Sequence, residues 1–359
     1  MTHTGAARIT VRTASLAANY RYFQQQAGAV PVAAVVKADA YGVGLAGILP
    51  LPCDTFFVAR LSEALSLRAL KPSARIFVLD GVSAAAIPAL VTHKLIPVLN
   101  SLAHIEAWQG EAKRARATLE AALHVDTGMN RLGLPPEELS VLAAEADKRL
   151  EGLSLALVMS HLAFGEDPAA PKNAQQLSRF RAALAALPPA PASLAASGGI
   201  LLGREYHFDL VRPGIGLYGG APHTGLANPM QTVVSLTAPI LQLRSVAPGD
   251  TVGYCATFQA ARPSLIATIP LGYADGVLRI ASRGAGAILR GRRVPFVGRV
   301  SMDLITLDVT DCPGVAVGDE AELFGPSLPV DEAAAEWGTI SYELLTGLSR
   351  RIPRVYEGV

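Results

Sequence analysis

Eight short runs of apolar, largely β-branched residues recur through the first 215 positions, and they constrain the fold more than any other feature. They are VAAVVKA (32–38), TFFVARL (55–61), ARIFVLD (74–80), LIPVLN (95–100), LEAALHVD (119–126), LALVMSHL (155–162), ASLAAS (192–197) and HFDLVRPGI (207–215). Segments with helical spacing separate them, among them SEALSLRALK (62–71), PEELSVLAAEADKRL (136–150) and NAQQLSRFRAALAAL (173–187). Strands that alternate with helices imply a parallel sheet. Eight of them, each apolar along nearly its whole length, imply cover on both faces and so a (β/α)₈ TIM-type barrel. An open sheet of fewer strands would also fit, because ASLAAS offers little strand signal.

After GLYGG (216–220) the pattern changes. The runs QTVVSLTAPILQLRSV, SLIATIPLGY, RRVPFVGRVSMDLITLDV and DEAELFG are β-rich and punctuated by Gly and Pro, with little helical signal before AAAEWG and YELLTGL. We expect a barrel over residues 1–225 and a second, mostly antiparallel β domain over 226–359. The opening ARITVRTASLAANYRYF can lend a strand to that second domain before its helix enters the barrel.

Half the residues are hydrophobic, 17% are charged and the formal net charge is +1, without a basic arm or stripe. That balance points away from nucleic acid and from a membrane surface. The N-terminus lacks the charged start and apolar run of a signal peptide, and no apolar stretch approaches the roughly 18 residues of a membrane span. Three cysteines in no paired spacing argue against a disulfide framework or a metal site, so the expected compartment is the cytoplasm.

If the barrel expectation holds, polar residues at the C-terminal strand ends face an active-site mouth. Those residues are Lys37 after strand one, Arg131 beyond strand five, His161 after strand six, Ser197 after strand seven and Arg212 after strand eight. A partly desolvated lysine amine is nucleophilic near neutral pH and suits covalent attachment to a carbonyl. On position alone, a lysine snorkelling onto solvent is the commoner case.

The surrounding residues change that weighting. KADAYG (37–42) resembles the pyridoxal-phosphate lysine motif of alanine racemases, a fold-type III family. The resemblance continues in order through HVDTGMNRLG (124–133), VMSHLA (158–163), DLVRPGIGLYG (209–219), DTVGYCATF (250–258), PLGYADG (270–276), VGRVSMD (297–303) and TISYELL (339–345). It implies pyridoxal 5'-phosphate as cofactor, L- and D-alanine as substrates, and a homodimer with active sites shared between subunits. Lys37 would hold the cofactor and serve as base on one face of the α-carbon, with Tyr254 as second base on the other; removing a proton from one face and returning it to the other inverts the centre. Outside its block, a tyrosine in a β-rich stretch reads as packing. Arg212 would face the pyridine nitrogen and His161 would stack on the ring. Tyr41, Ser197, Gly214, Ile215 and Tyr342 would hold the phosphate. Arg131 would take the substrate carboxylate, while Met302 and Asp303 would line the mouth from the other subunit and Tyr273 would gate the entry channel.

Two positions depart from the family pattern. His124 stands where many members carry a carbamate-modified lysine that supports the arginine, so Arg131 needs another support. Ala196 stands where an asparagine is usual near the phosphate serine. The related fold-type III decarboxylases set a glutamate against the pyridine nitrogen, where this chain has Arg212-Pro213-Gly214. A broad-specificity racemase and a non-catalytic pyridoxal-phosphate carrier also compete with the narrow enzyme. The carrier family has no second domain, and the broad racemases are commonly exported and disulfide-bearing. Whether D-alanine would feed cell-wall peptides or catabolism is not written in the sequence.

Overall fold

The computed structural model describes residues 6–358. Seven strands, Ala34–Val35, Thr55–Val58, Arg75–Val78, Ile96–Leu99, Leu119–His124, Leu153–Met159 and Ala192–Ser193, pair in sequence order and all in parallel. The eighth apolar run closes the ring as single bridges rather than a strand. Val211 bridges Val32, and Arg212 bridges Ala196. Its hydrogen bonds reach both neighbours, Ala33 N–H to Val211 O at 2.9 Å and Arg212 N–H to Ala195 O at 2.9 Å. Two features cut this strand short: Phe208 has φ +53°, and Pro213 has no N–H to donate.

Side chains alternate across the barrel wall, as a strand period of two requires. Phe57, Phe77, Val98, Ala122 and Leu157 pack together inside, whereas Phe56, Ile76, Ala121, Leu123 and Val158 join the larger core outside the wall. Phe57 and Phe77 stack at 4.6 Å with their planes 8° apart, forming a solid floor beneath the mouth. Helices Leu61–Leu70, Leu102–Ala115 and Pro171–Ala186 cover the wall. The 136–150 segment is interrupted at Glu145 and gives Pro136–Ala144 and Ala146–Arg149.

The second sheet has nine strands in the order Gln242–Val246, Ser264–Ile269, Ile305–Asp308, Arg292–Val297, Gly286–Leu289, Glu320–Phe324, Val234–Pro239, Arg8–Arg12 and Arg354–Glu357. Every pairing is antiparallel except Arg8–Arg12 with Arg354–Glu357. Thus the N-terminal strand lies in the second sheet and its helix, Thr13–Ala27, runs on to the barrel. Helices Val330–Glu336 and Ser341–Gly347 lie between the two, and the second packs on the segment that follows Lys37. Among the described residues no helix is long and apolar enough to cross a membrane. The three cysteines are free thiols; Cys53 and Cys312 are buried and Cys255 is exposed.

Candidate active site

A cleft of about 380 Å³ opens at the C-terminal end of the barrel strands, a volume suited to a small cofactor with its substrate. Lys37, Tyr41, Arg131, His161, Ser197, Arg212, Gly214, Ile215 and Tyr342, all singled out in the sequence, line it. Its acidic lining consists of Glu166 alone, against three cations, so the cleft suits an anionic ligand.

Lys37 does not simply end its strand. Ala38, Asp39, Ala40 and Tyr41 all have φ between +54° and +55°, so the chain makes one turn of left-handed helix. That hand costs roughly 1–2 kcal/mol for each residue with a Cβ, which makes this the most strained segment of the cleft. Contacts outside the turn hold it. Glu63 accepts the Ala38 N–H on Oε1 at 2.7 Å and the Ala59 N–H on Oε2 at 2.8 Å. Asp39 Oδ1 accepts the Leu45 N–H at 3.2 Å. A side chain at Gly42 would meet the Leu345 carbonyl at 1.9 Å, so helix Ser341–Gly347 seats directly against the turn. Burial lowers the pKa of Lys37 and the Arg131 cation adds to the effect, while Glu63 and Asp80 oppose it.

Arg212 crosses the cleft floor and is only 3% exposed. Its guanidinium carbon sits 5.6 Å from the centroid of Phe57. Nη2 donates to the Ser160 carbonyl at 2.7 Å and Nη1 to Ser193 Oγ, which itself donates to the Leu210 carbonyl. Among the described residues no carboxylate pairs with this cation, and burial lowers its pKa to about 9. His161 is half-buried at the cleft wall; burial first, then Arg212, Arg131, Lys37 and His124, push its pKa down to about 3. Gln176 fixes the backbone there by donating to the His161 carbonyl at 2.9 Å and accepting from the Ala163 N–H at 2.8 Å.

At the other end, Ser197 opens the helix Ser197–Leu202. Its Oγ accepts the N–H groups of Gly214 at 2.9 Å and Gly216 at 3.3 Å. The Ile215 N–H, first in the 3₁₀ turn Ile215–Tyr218, has no protein acceptor among the described residues. A Cβ on Gly214 would meet Tyr41 Oη at 2.4 Å, so the glycine lets backbone donors and the phenol share one small volume. Tyr41 stacks on Tyr218 at 4.6 Å. Burial raises the pKa of Tyr41 and pushes that of Tyr342 up to about 12, which keeps both phenols protonated as donors.

Arg131 stands on a loop built by Asp126, whose Oδ1 accepts the N–H groups of Gly128, Met129 and Asn130 at 2.9, 2.9 and 3.1 Å. Its guanidinium is exposed toward the cleft and makes no hydrogen bond or ion pair among the described residues. His124 lies beside it. Asn100 spends its amide nitrogen on the carbonyls of Leu79 and Val98, both at 3.0 Å, so its Oδ1 is left to accept from His124 Nδ1 at 2.8 Å. Burial, followed by the Arg212 cation, lowers the His124 pKa to about 4. The ring is therefore neutral, with its proton on Nδ1. Ala196 also lines the cleft.

Tyr254, Tyr273, Met302 and Asp303 do not reach this cleft. Tyr254 is 70% exposed on a 3₁₀ turn of the second domain. The other three form a cluster of their own, where the N–H groups of Tyr273 and Ala274 bond the carbonyls of Ser301 and Met302 at 3.0 Å. Arg351 ties the cluster together through Asp275 at 2.6 Å and Asp303 at 2.5 Å. Sequence reasoning did not single out Glu63, Asn100, Asp126 or Arg351. Asp126 had a local signal, an Asp before Gly in a loop, and Glu63 had one as the acid in the first turn of its helix. The bonds of Glu63 to Ala38, Asn100 to His124 and Arg351 to Asp275 cross sequence gaps that no local pattern reveals.

Sequence models of the alanine racemase N-terminal and C-terminal domains match residues 11–222 and 233–356. An alanine racemase of Acidiphilium cryptum is 48% identical over 355 residues, spanning 98% of this chain and 99% of its own length. The crystal structure of the Bartonella henselae alanine racemase, described with covalently bound pyridoxal phosphate, superposes with a TM-score of 0.94 at 40% identity, covering 98% of this chain and 99% of that one. The biosynthetic alanine racemase of Pseudomonas aeruginosa gives 0.90 at 37% identity, over 99% of this chain and 100% of that one. With both halves matched in order and the whole fold superposed, this chain belongs to the alanine racemase family.

Proposed function

We propose that this chain interconverts L- and D-alanine, using pyridoxal 5'-phosphate held on Lys37, as a homodimer in which each cleft is completed by Tyr254 of the partner subunit. We take residues 1–225 as the cofactor-binding barrel and 226–359 as the domain that supplies the tyrosine, and we assign the activity to the cytoplasm, where free thiols stay reduced. The observation that carries the reading is a depressed-pKa lysine in a cationic cleft whose far end gathers Ser197 Oγ, the unpartnered Ile215 N–H and two protonated phenols.

Those residues fit the cofactor. The far end gathers hydroxyl and backbone donors and lacks a Cβ where one would block it. Bound pyridoxal phosphate supplies an electron sink that acidifies the α-proton of an attached amino acid. Lys37, made less basic by burial and by Arg131, would bind the cofactor carbonyl through its amine and then take or return that proton. Arg212, fixed by Ser160 and Ser193, would meet the ring nitrogen as a donor that keeps its own proton. His161 is neutral and would stack on the ring without adding charge. Arg131 has both edges of its guanidinium free for a substrate carboxylate. Tyr254 would exchange the proton on the opposite face; Tyr273, Met302 and Asp303 from the same partner would narrow the mouth toward a small side chain.

The test is to incubate cofactor-loaded protein with L-alanine and follow the enantiomer ratio by chiral chromatography, with Lys37→Ala alongside. The wild type should approach an equal mixture and the variant should leave L-alanine unchanged. Unchanged L-alanine with retained cofactor in the wild type would overturn the assignment.

A further inference from the structure

We propose that Arg354, in the last strand of the second sheet, is a positioning residue for Lys37. The inference rests on the role given to Lys37 above. The left-handed turn from Ala38 to Tyr41 carries the lysine and a phosphate phenol on one strained peptide segment. Within the turn the carbonyls of Ala38, Asp39 and Ala40 accept the N–H groups of Gly42, Gly44 and Val43 at 2.9, 2.8 and 3.1 Å, whereas the Gly42 carbonyl is taken from outside it. Arg354 takes that carbonyl twice, from Nη2 at 3.0 Å and from Nε at 3.3 Å. Its other bonds go to the carbonyls of Leu348 at 3.0 Å, Ser349 at 2.6 Å and Ile352 at 2.9 Å.

Five bonds from one half-buried guanidinium to backbone carbonyls, with no carboxylate among them, form an unusual use of arginine. Only its planar fork can bridge the turn and the chain following helix Ser341–Gly347 in this way. The neighbouring strand residue Tyr356 continues the seam, donating to the Val43 carbonyl at 3.1 Å. Strand Arg354–Glu357 is itself paired with Arg8–Arg12 in the second sheet. A peptide that prefers the opposite hand is thus pinned by a different domain, which couples the position of Lys37 to the seating of that domain.

The experiment compares wild type with Arg354→Gln, Arg354→Lys and the double variant Arg354→Gln/Ala38→Gly. Amide hydrogen exchange over residues 38–44 is read in cofactor-free protein, and pyridoxal-phosphate dissociation in loaded protein. Arg354→Gln should speed exchange in that segment and cofactor release about tenfold, with Arg354→Lys close to it despite its retained charge. Ala38 is exposed, so a glycine there removes left-handed strain without opening a cavity, and the double variant should recover most of both losses. Wild-type exchange and retention in Arg354→Gln would overturn the proposal. So would losses that Ala38→Gly leaves untouched, since those would mark a general stabilising role. Should wild type bind no pyridoxal phosphate, the functional reading falls, while exchange in the cofactor-free segment still decides the role of Arg354.

Discussion

Two adjacent glycines at the phosphate end make opposite predictions. A Cβ on Gly198 would lie 2.1 Å from the Gly165 carbonyl oxygen, 2.6 Å from its carbon and 2.8 Å from the Pro222 oxygen. Ordinary contact is about 3.5 Å, so the overlap exceeds 1 Å, and every atom struck is backbone. A Cβ on Gly199 would touch only side chains, Leu162 Cδ1 at 3.1 Å and Ala195 Cβ at 3.2 Å. Overpacking against backbone belongs at the upper end of its usual range, about 3 kcal/mol. Helix propensity returns about 1 kcal/mol when alanine replaces glycine. The helix Ser197–Leu202 relieves the remaining ~2 kcal/mol by moving off Gly165, which takes Ser197 Oγ away from the Gly214 N–H; that predicts about a 30-fold loss of cofactor affinity in Gly198→Ala. Gly199→Ala should bind within about threefold of wild type, because Leu162 can turn aside and the 3.2 Å approach to Ala195 Cβ calls for a shift of only a few tenths of an ångström. Fluorescence titration of the cofactor-free proteins with pyridoxal phosphate measures both. Equal affinities for the two variants, or wild-type binding by Gly198→Ala, would refute the reasoning.

Further outcomes follow from the same geometry. His124 and His161 have native pKa values of about 4 and about 3 against 6.5 unfolded, so only the unfolded chain takes up their protons as pH falls below 6.5. Stability of the cofactor-free protein should therefore drop toward pH 4 with a slope of up to about 1.4 kcal/mol per pH unit for each histidine, and urea unfolding of His124→Gln should show a shallower slope. Arg212→Lys leaves Ser193 Oγ or the Ser160 carbonyl without its donor and should lower unfolding stability by about 1–3 kcal/mol, read from denaturant midpoints. Tyr254→Phe should retain cofactor and lose at least about a hundredfold in racemisation. In D₂O, NMR should then show one alanine enantiomer exchanging its α-hydrogen much faster than the other; equal exchange would remove Tyr254 from the one-face role.

The barrel was legible because parallel strands buried on both faces must be apolar along their length, and seven of the eight runs are paired strands. The eighth run, 207–215, shows why local signal overstates extension: Phe208 and Pro213 confine it to bridges, although it still closes the ring. KADAY reads as ordinary helix by propensity, and nothing in those residues announces a left-handed turn. That conformation is imposed by Glu63, Leu345 and Arg354, which bond or pack on it from 25 to 312 positions away in sequence. The pairing of Asn100 with His124 was equally hidden, since it depends on where Asn100 spends its amide nitrogen. Of the second-domain residues named from sequence, Tyr342 lines the cleft, whereas Tyr254, Tyr273, Met302 and Asp303 are exposed away from it; the proposed function gives these four a role through a second copy of the chain.

That arrangement yields the most direct test of the central claim, that one copy supplies Lys37 and the other supplies Tyr254. Lys37→Ala and Tyr254→Phe proteins, each inactive alone, are mixed in equal amounts, exchanged through mild denaturant and assayed for racemisation. Random reassembly makes half the dimers hybrid, each with one intact cleft, so activity should return to about a quarter of wild type. No recovery, with hybrids demonstrated by mass, would mean that both groups act within one chain and would contradict the account.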